Sequence, residues 1–157
     1  MSQQGYDVAE ICLNGHVSND EAFTTPHRNV DYCSKCGEKT IQQCPSCKRN
    51  IRGYYRSNVI GRYYKPSYCI HCGDPFPWIS KRLKSAEELA DIVDEFTDED
   101  KRLLTESLND LVRDTPRSQV AAIRFKKIVS KTTSNIGAAF RDILIDIVAE
   151  SVKKQIW

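Results

Sequence analysis

Four pairs of metal-ligand residues constrain the first half of this 157-residue chain more than any other feature. The pairs are Cys12 with His16, Cys33 with Cys36, Cys44 with Cys47, and Cys69 with Cys72. Zn²⁺ prefers four nitrogen or sulfur ligands in a tetrahedron, and two ligands on one tight turn supply half of that set. Seven cysteines and one histidine complete two tetrahedra without an open coordination position. The sequence therefore predicts two structural zinc ions per chain.

The cellular setting supports metal ligands over disulfides. The polar start of the chain, with Asp7 and Glu10, predicts no signal peptide. The apolar stretch 143–149 is short and interrupted by Asp146, so we expect no membrane partner. These features indicate a cytoplasmic protein. In a reducing cytosol, Cys-x-x-Cys pairs bind metal more often than they form disulfides.

Linker lengths favour one assignment of ligand pairs to metal ions. The linkers hold 16, 7 and 21 residues, and a zinc ribbon needs a β-hairpin between its two turns. The two longer linkers suit a sequential arrangement, in which the first two pairs share one ion and the last two share the other. A nested arrangement, with the first pair facing the fourth, stays open because ligand type does not fix connectivity.

Several motifs resemble a bacterial family of unknown function that has a double zinc ribbon followed by helices. They are Cys-x-Asn-Gly-His from Cys12, Tyr-Cys-x-x-Cys-Gly from Tyr32, Cys-Pro-Ser-Cys from Cys44, Ile-Arg-Gly from Ile51, and Cys-Gly-Asp-Pro-Phe-Pro-Trp from Cys72. The resemblance covers residues 10–80 well and the rest of the chain loosely. It implies zinc binding and a bacterial cytoplasmic setting, but it supplies no activity.

The segment 48–68 combines six basic residues and five tyrosines with no acidic residue. Basic groups neutralise phosphates and aromatic faces stack on unpaired bases, which is one interpretation of this composition. The other is structural: cations offset the negative charge of zinc thiolates, and tyrosines cover a ribbon that lacks a core. The candidate nucleic-acid residues are Lys48, Arg49, Arg52, Tyr54, Tyr55, Arg56, Arg62, Tyr63, Tyr64 and Lys65.

The second half of the chain has helical signals. Pro75 and Pro77 predict an extended segment before it. Capping sequences at Ser85 and Thr97, Thr115 before a proline, and apolar spacing then predict helices over 86–95, 98–113, 116–132 and 135–155. The predicted fold is therefore a small α+β protein in two parts, a double zinc ribbon with short β-hairpins over 1–82 and a helical bundle over 83–157.

These observations favour a non-enzymatic adaptor that binds another protein. All eight good metal ligands are used, and the sequence has neither a glycine-rich phosphate loop nor metalloprotease spacing, so we expect no catalytic residues. The alternative is a nucleic-acid-binding protein that uses segment 48–68, and an enzyme is the remote alternative. The formal net charge of +2 is too small to choose between partners. The thin helical core makes self-association through the helices a further expectation.

Overall fold

A computed structural model of the chain describes residues 5–157. The chain divides into two compact units, the first ending at Ser80 and the second running from Lys81 to Trp157. Short antiparallel strands lie in the first unit and helices make up the second, which confirms the predicted α+β class. In the described part of the chain, no helix has both the length and the apolar character needed to cross a membrane.

The five strands form two small antiparallel sheets. They are β1 (Gly5–Val8), β2 (Glu10–Cys12), β3 (Val17–Asn19), β4 (Thr40–Ile41) and β5 (Arg52–Arg56). One sheet has the order β3-β2-β4 and the other pairs β1 with β5. The expectation of a hairpin inside each long linker is wrong, since β3 and β5 each pair with a strand outside their linker. Gly53 makes the β1–β5 pairing close: a Cβ there would lie 2.8 Å from the Val8 carbonyl oxygen.

The first unit buries polar groups together with a small apolar core. Ile11, Ile51 and Trp78 are fully buried, and so is the carboxylate of Glu10. That carboxylate accepts hydrogen bonds from Ser18 Oγ at 2.7 Å, the backbone N–H of Val30 at 2.8 Å and Gln42 Nε2 at 2.9 Å. Because a buried charge is tolerated only when it is hydrogen-bonded, this network fixes how the surrounding loops fold.

The helices are α1 (Pro77–Ile92), α2 (Asp98–Val112), α3 (Arg117–Val129), α4 (Ser134–Leu144) and α5 (Glu150–Ile156). The predicted cap at Thr97 is confirmed as a capping box, in which Thr97 accepts from the Asp100 N–H and Asp100 accepts from the Thr97 N–H. In the core of the second unit, Phe125 packs edge-on against Phe140 with ring centroids 5.9 Å apart.

Two predictions about the helical part of the chain are wrong. Pro77 starts α1 instead of holding the segment extended, and Ser85 lies inside that helix rather than capping it. The proline occupies the first helical position, where its missing N–H costs nothing. The helix predicted over 135–155 is two helices, because the chain turns at 145–149. The Ala149 N–H then bonds to the Leu111 carbonyl, and Ile147 and Val148 become buried.

Candidate metal centres and aromatic cleft

Three of the four ligand turns share one backbone conformation. In each, the N–H of the first cysteine donates to the carbonyl five residues later, at 2.8–2.9 Å. The carbonyl of that cysteine accepts from the N–H four residues later at 2.8 Å. The residue at that fourth position has a positive φ, which is 74° for Gly37, 64° for Lys48 and 80° for Gly73. The turn is therefore closed by hydrogen bonds within six consecutive residues, with the positive φ at the fifth of them.

The first ligand turn has a different form and joins two strands. Cys12 ends β2 and His16 precedes β3, and the Cys12 N–H donates to the His16 carbonyl at 2.9 Å. Gly15 takes a φ of +91° between them, so the His16 ring turns back toward the Cys12 sulfur. His16 Nδ1 lies 3.5 Å from the sulfur atoms of both Cys12 and Cys33.

The eight predicted ligands form two groups of four. Within each group, the ligand atoms all lie within 4.8 Å of one another. One group is Cys12, His16, Cys33 and Cys36, and the other is Cys44, Cys47, Cys69 and Cys72. The arrangement is the sequential one. His27 and His71 lie outside both groups and are exposed.

The distances between ligand atoms fit a tetrahedral zinc site. With Zn–S at about 2.3 Å and Zn–N at about 2.0–2.1 Å, tetrahedral geometry places sulfur atoms about 3.8 Å apart and sulfur and nitrogen about 3.6 Å apart. The observed S···S distances are 3.7 Å for Cys12–Cys36, Cys44–Cys72 and Cys47–Cys69, and the S···N distances are 3.5 Å. A disulfide needs about 2.05 Å, so these sulfur atoms are placed to share an ion. Two Cys-rich clusters of this kind can each bind a metal ion.

Hydrogen bonds to sulfur stabilise the thiolate form. Asn14 Nδ2 donates to Cys36 Sγ at 3.4 Å, and the His16 N–H donates to Cys12 Sγ at 3.3 Å. The Asn14 amide, followed by the Glu38 backbone N–H, lowers the pKa of the Cys36 thiol to about 6. At Cys12, burial outweighs the hydrogen bond from the His16 N–H and raises the pKa of that thiol. The thiolate is the form that binds metal, so the donors to Cys36 favour metal binding whereas the burial of Cys12 opposes it.

Residues distant in sequence support the first metal centre. Trp78 is fully buried, stacks on Phe76 at 4.7 Å and donates from Nε1 to the Pro66 carbonyl at 3.0 Å. Its Cβ lies against Gly15, and Lys65 Nζ donates to the Gly15 carbonyl at 2.6 Å. The turn between Cys12 and His16 is therefore contacted at Gly15 by two residues that follow that glycine by fifty positions or more.

An aromatic cleft of about 410 Å³ lies in the same unit. The structure brings six of the ten nucleic-acid candidates to its walls, namely Arg52, Tyr54, Tyr55, Arg62, Tyr63 and Tyr64. Tyr64 is 77% exposed, and the Arg62 guanidinium lies 5.9 Å from its ring centroid. Tyr54 and Tyr63 are half-buried, and their hydroxyl groups bond to the Gly61 N–H and the Arg52 carbonyl.

The other four candidates do not line the aromatic cleft. Arg56 pairs with Asp7 at 3.8 Å and with Glu21 at 3.3 Å, which neutralises its charge. Arg49 lies 3.2 Å from His71 Nδ1, on the ligand turns of the second metal centre. Lys48 also lies on those turns, and Lys65 bonds to Gly15. Of the six basic residues of the segment, only Arg52 and Arg62 therefore line the cleft.

Sequence reasoning missed two residues near the cleft. Tyr6 lines it because β1 pairs with β5: its ring packs edge-on against Tyr55 at 4.8 Å, and the Arg52 guanidinium lies 4.2 Å from its centroid. Asp20 contributes negative charge nearby. Burial first, and the Asp20 carboxylate second, raise the pKa of Tyr63. No local pattern reveals either residue, since Tyr6 approaches through the pairing of β1 with β5 and Asp20 through the hydrogen bond from the Tyr54 N–H to its carbonyl.

Comparison with known proteins extends over nearly the whole chain. A family model described as an uncharacterized protein conserved in bacteria, DUF2321, matches residues 5–156. No curated protein and no solved structure matches the chain. The match includes the helical part as well as the metal-binding part, and it confirms the resemblance to a bacterial family with two ribbon-like Cys clusters. The chain therefore belongs to the bacterial family DUF2321.

Proposed function

We propose that this protein is a non-enzymatic interaction protein whose first unit is held in shape by two structural zinc ions. The single observation that carries the proposal is the pair of four-ligand clusters with tetrahedral spacing. Four protein ligands fill the preferred coordination shell of Zn²⁺ and leave no position for a water nucleophile. The clusters therefore suit a role in stability rather than in hydrolysis.

The composition of the first unit supports the same role. Its interior contains the buried polar residues Asp7, Glu10 and Asn19 beside a short list of apolar side chains. A small domain with such a core needs metal or disulfides for stability, and a structural zinc site contributes on the order of 10 kcal/mol. Because the metal ions serve stability and not catalysis, we propose that the surface of the protein binds a partner.

Metal analysis with matched variants tests this proposal. The zinc-loaded protein should contain two zinc ions per chain, and Cys72→Ser and His16→Ala should each contain one. His71→Ala and His27→Ala are the controls, because both histidines are exposed and lie outside the clusters. They should keep two ions. A wild-type content near one zinc ion per chain, or an equal loss of zinc in the controls, would contradict the eight-ligand assignment.

Chelation of the wild-type protein tests the structural role. Removal of zinc should unfold the first unit and leave most of the helical circular dichroism signal of the second. Retention of the folded first unit without metal would show that the ions do not stabilise it. Loss of both signals together would mean that the two units unfold as one.

A second candidate function is binding of single-stranded nucleic acid in the aromatic cleft. It is favoured by the exposed ring of Tyr64 beside the Arg62 guanidinium, since bases stack on such faces and phosphates pair with such cations. Replacing Tyr64 with Leu should weaken binding by about 1–3 kcal/mol and leave its salt dependence nearly unchanged.

The basic residues provide a charge-matched comparison. Arg52→Ala with Arg62→Ala should weaken binding and flatten the salt dependence, because fewer counterions are released. Lys48→Ala with Arg49→Ala removes the same charge outside the cleft and should have less effect. If a folded, zinc-loaded protein binds neither DNA nor RNA, single- or double-stranded, at physiological salt, the tyrosines serve packing alone.

A further inference from the structure

The second unit carries an apolar groove with a basic edge between α2 and α3. Within residues 81–157 the exposed large apolar side chains are Ile92, Val120 and Ile123. Val120 (54% exposed) and Ile123 (67% exposed) both line this groove of about 480 Å³, and Leu103 and Ile128 complete its apolar surface. An apolar groove beside a helix is a common docking site for an amphipathic helix.

Two cations border the groove. Arg124 and Lys127 follow Val120 and Ile123 on α3 at helical spacing, so they lie on the same side of that helix. Lys131, the third cation of the lining, is bound to Asp100 at 2.7 Å. On α2, the neighbouring acids Glu99 and Glu106 both pair with Arg102. Within residues 5–157, neither Arg124 nor Lys127 forms an ion pair, which leaves two positive charges beside exposed aliphatic carbon.

The third exposed side chain, Ile92, lies on a surface of the opposite sign. Ile92 is 75% exposed near the end of α1, and exposed Glu88 and Asp91 lie four and one residues before it. Residues 86–100 contain eight acidic residues and no basic one, and the cation that reaches this surface is Lys101, whose Nζ donates to the Asp91 carbonyl at 3.0 Å. We call Glu88, Asp91 and Ile92 the acidic stripe. The stripe has an aliphatic side chain beside carboxylates, and the groove has aliphatic side chains beside cations. The two surfaces are therefore opposite in charge, and each has an apolar part.

We propose that the groove between α2 and α3 receives the acidic stripe of a second copy of this chain. Ile92 would pack on Val120 and Ile123, while Glu88 and Asp91 would pair with Arg124 and Lys127 of the other copy. Each copy has one groove and one stripe. The contact is therefore between two different surfaces, and it produces either a closed assembly or an open chain of copies. Electrostatic complementarity makes the association sensitive to salt.

The test uses the full zinc-loaded chain in sedimentation velocity from about 1 µM to about 1 mM. The stripe variant is Glu88→Arg with Asp91→Arg, and the groove variant is Arg124→Glu with Lys127→Glu. Wild type should self-associate, and each variant should do so about 10- to 100-fold more weakly. An equimolar mixture of the two variants should regain association, because contacts between unlike variants pair an intact stripe with an intact groove, or a reversed stripe with a reversed groove.

The mixture gives the decisive measurement. The intact stripe of the groove variant meets the intact groove of the stripe variant there, so complexes that contain both variants should form with near wild-type affinity. A chain carrying all four substitutions should self-associate again, since the reversed charges are complementary. Lys126→Glu with Lys154→Glu makes the same charge change at exposed lysines outside the groove lining and should associate as wild type does.

Each contrary result overturns the proposal. A wild-type protein that stays monomeric over the whole range excludes the interface. Self-association that survives both charge reversals places the contact elsewhere, and a mixture without complexes of the two variants excludes the pairing of stripe with groove. Circular dichroism and zinc content of every variant confirm that it is folded. The outcome is independent of zinc stoichiometry and of nucleic-acid binding.

Discussion

The turn of the first metal centre depends on a glycine that two distant residues cover. Gly15 lies between the ligands Cys12 and His16 with a φ of +91°. A Cβ at this position would lie 2.8 Å from the Cβ of Trp78 and 2.8 Å from Lys65 Nζ. We expect Gly15→Ala to destabilise the first unit and to loosen its nearest metal centre.

The magnitude has a conformational part and a steric part. A left-handed backbone costs a residue with a Cβ about 1–2 kcal/mol. Overpacking against a fixed neighbour adds about 1–3 kcal/mol. Lys65 can move away, but only by giving up its 2.6 Å bond to the Gly15 carbonyl, and the buried Trp78 cannot move freely. The total loss in unfolding free energy is therefore about 2–5 kcal/mol.

Gly37→Ala is the matched control, because Gly37 follows Cys36 in the same metal centre. Its φ is +74°, yet a Cβ there meets nothing within 4 Å. Only the conformational part applies, so the expected loss is about 1–2 kcal/mol. The difference between the two variants isolates the contacts with Trp78 and Lys65.

Urea unfolding of the zinc-loaded proteins measures both losses, and zinc transfer to a colorimetric chelator measures how firmly each ion is held. Gly15→Ala should release one of its two ions faster than wild type, with a smaller effect in Gly37→Ala. Equal losses in the two variants would refute the role given to Trp78 and Lys65. A smaller loss in Gly15→Ala would refute the steric argument altogether.

Three further predictions follow from the first unit. Lys48→Gly should raise the unfolding free energy by up to about 1 kcal/mol in urea unfolding, since Lys48 has a φ of 64° where two other ligand turns have glycine. Burial raises the pKa of Asp7, but bonds from Thr24, Val8 and Phe23 outweigh it and leave that pKa below 3.8. The stabilisation from Asp7 is therefore complete above about pH 4 and lost as the pH falls through the folded pKa; Asp7→Asn should show a shallower loss of stability in acid unfolding. Cys12→Ser and Cys33→Ser should be non-additive in chelator-release and unfolding measurements, because they damage one metal centre, whereas Cys12→Ser and Cys69→Ser should add.

The residue pattern alone predicts the eight ligands and the α+β class of the fold. A Cys-x-x-Cys turn is closed by backbone hydrogen bonds within six consecutive residues. The capping box at Thr97 is equally local. Linker length then favoured the sequential grouping of ligands, although the reason given for it, a hairpin inside each linker, was wrong.

Packing between distant segments determines which of the basic and aromatic residues line the aromatic cleft. Pairing of β1 with β5 brings Tyr6 to the cleft, and approach of Asp7 and Glu21 neutralises Arg56. Trp78 reaches Gly15 because Pro77 starts a helix. These contacts join residues far apart in the chain. Their identity depends on which strands and helices pack together, so no periodicity or spacing within a short window contains them.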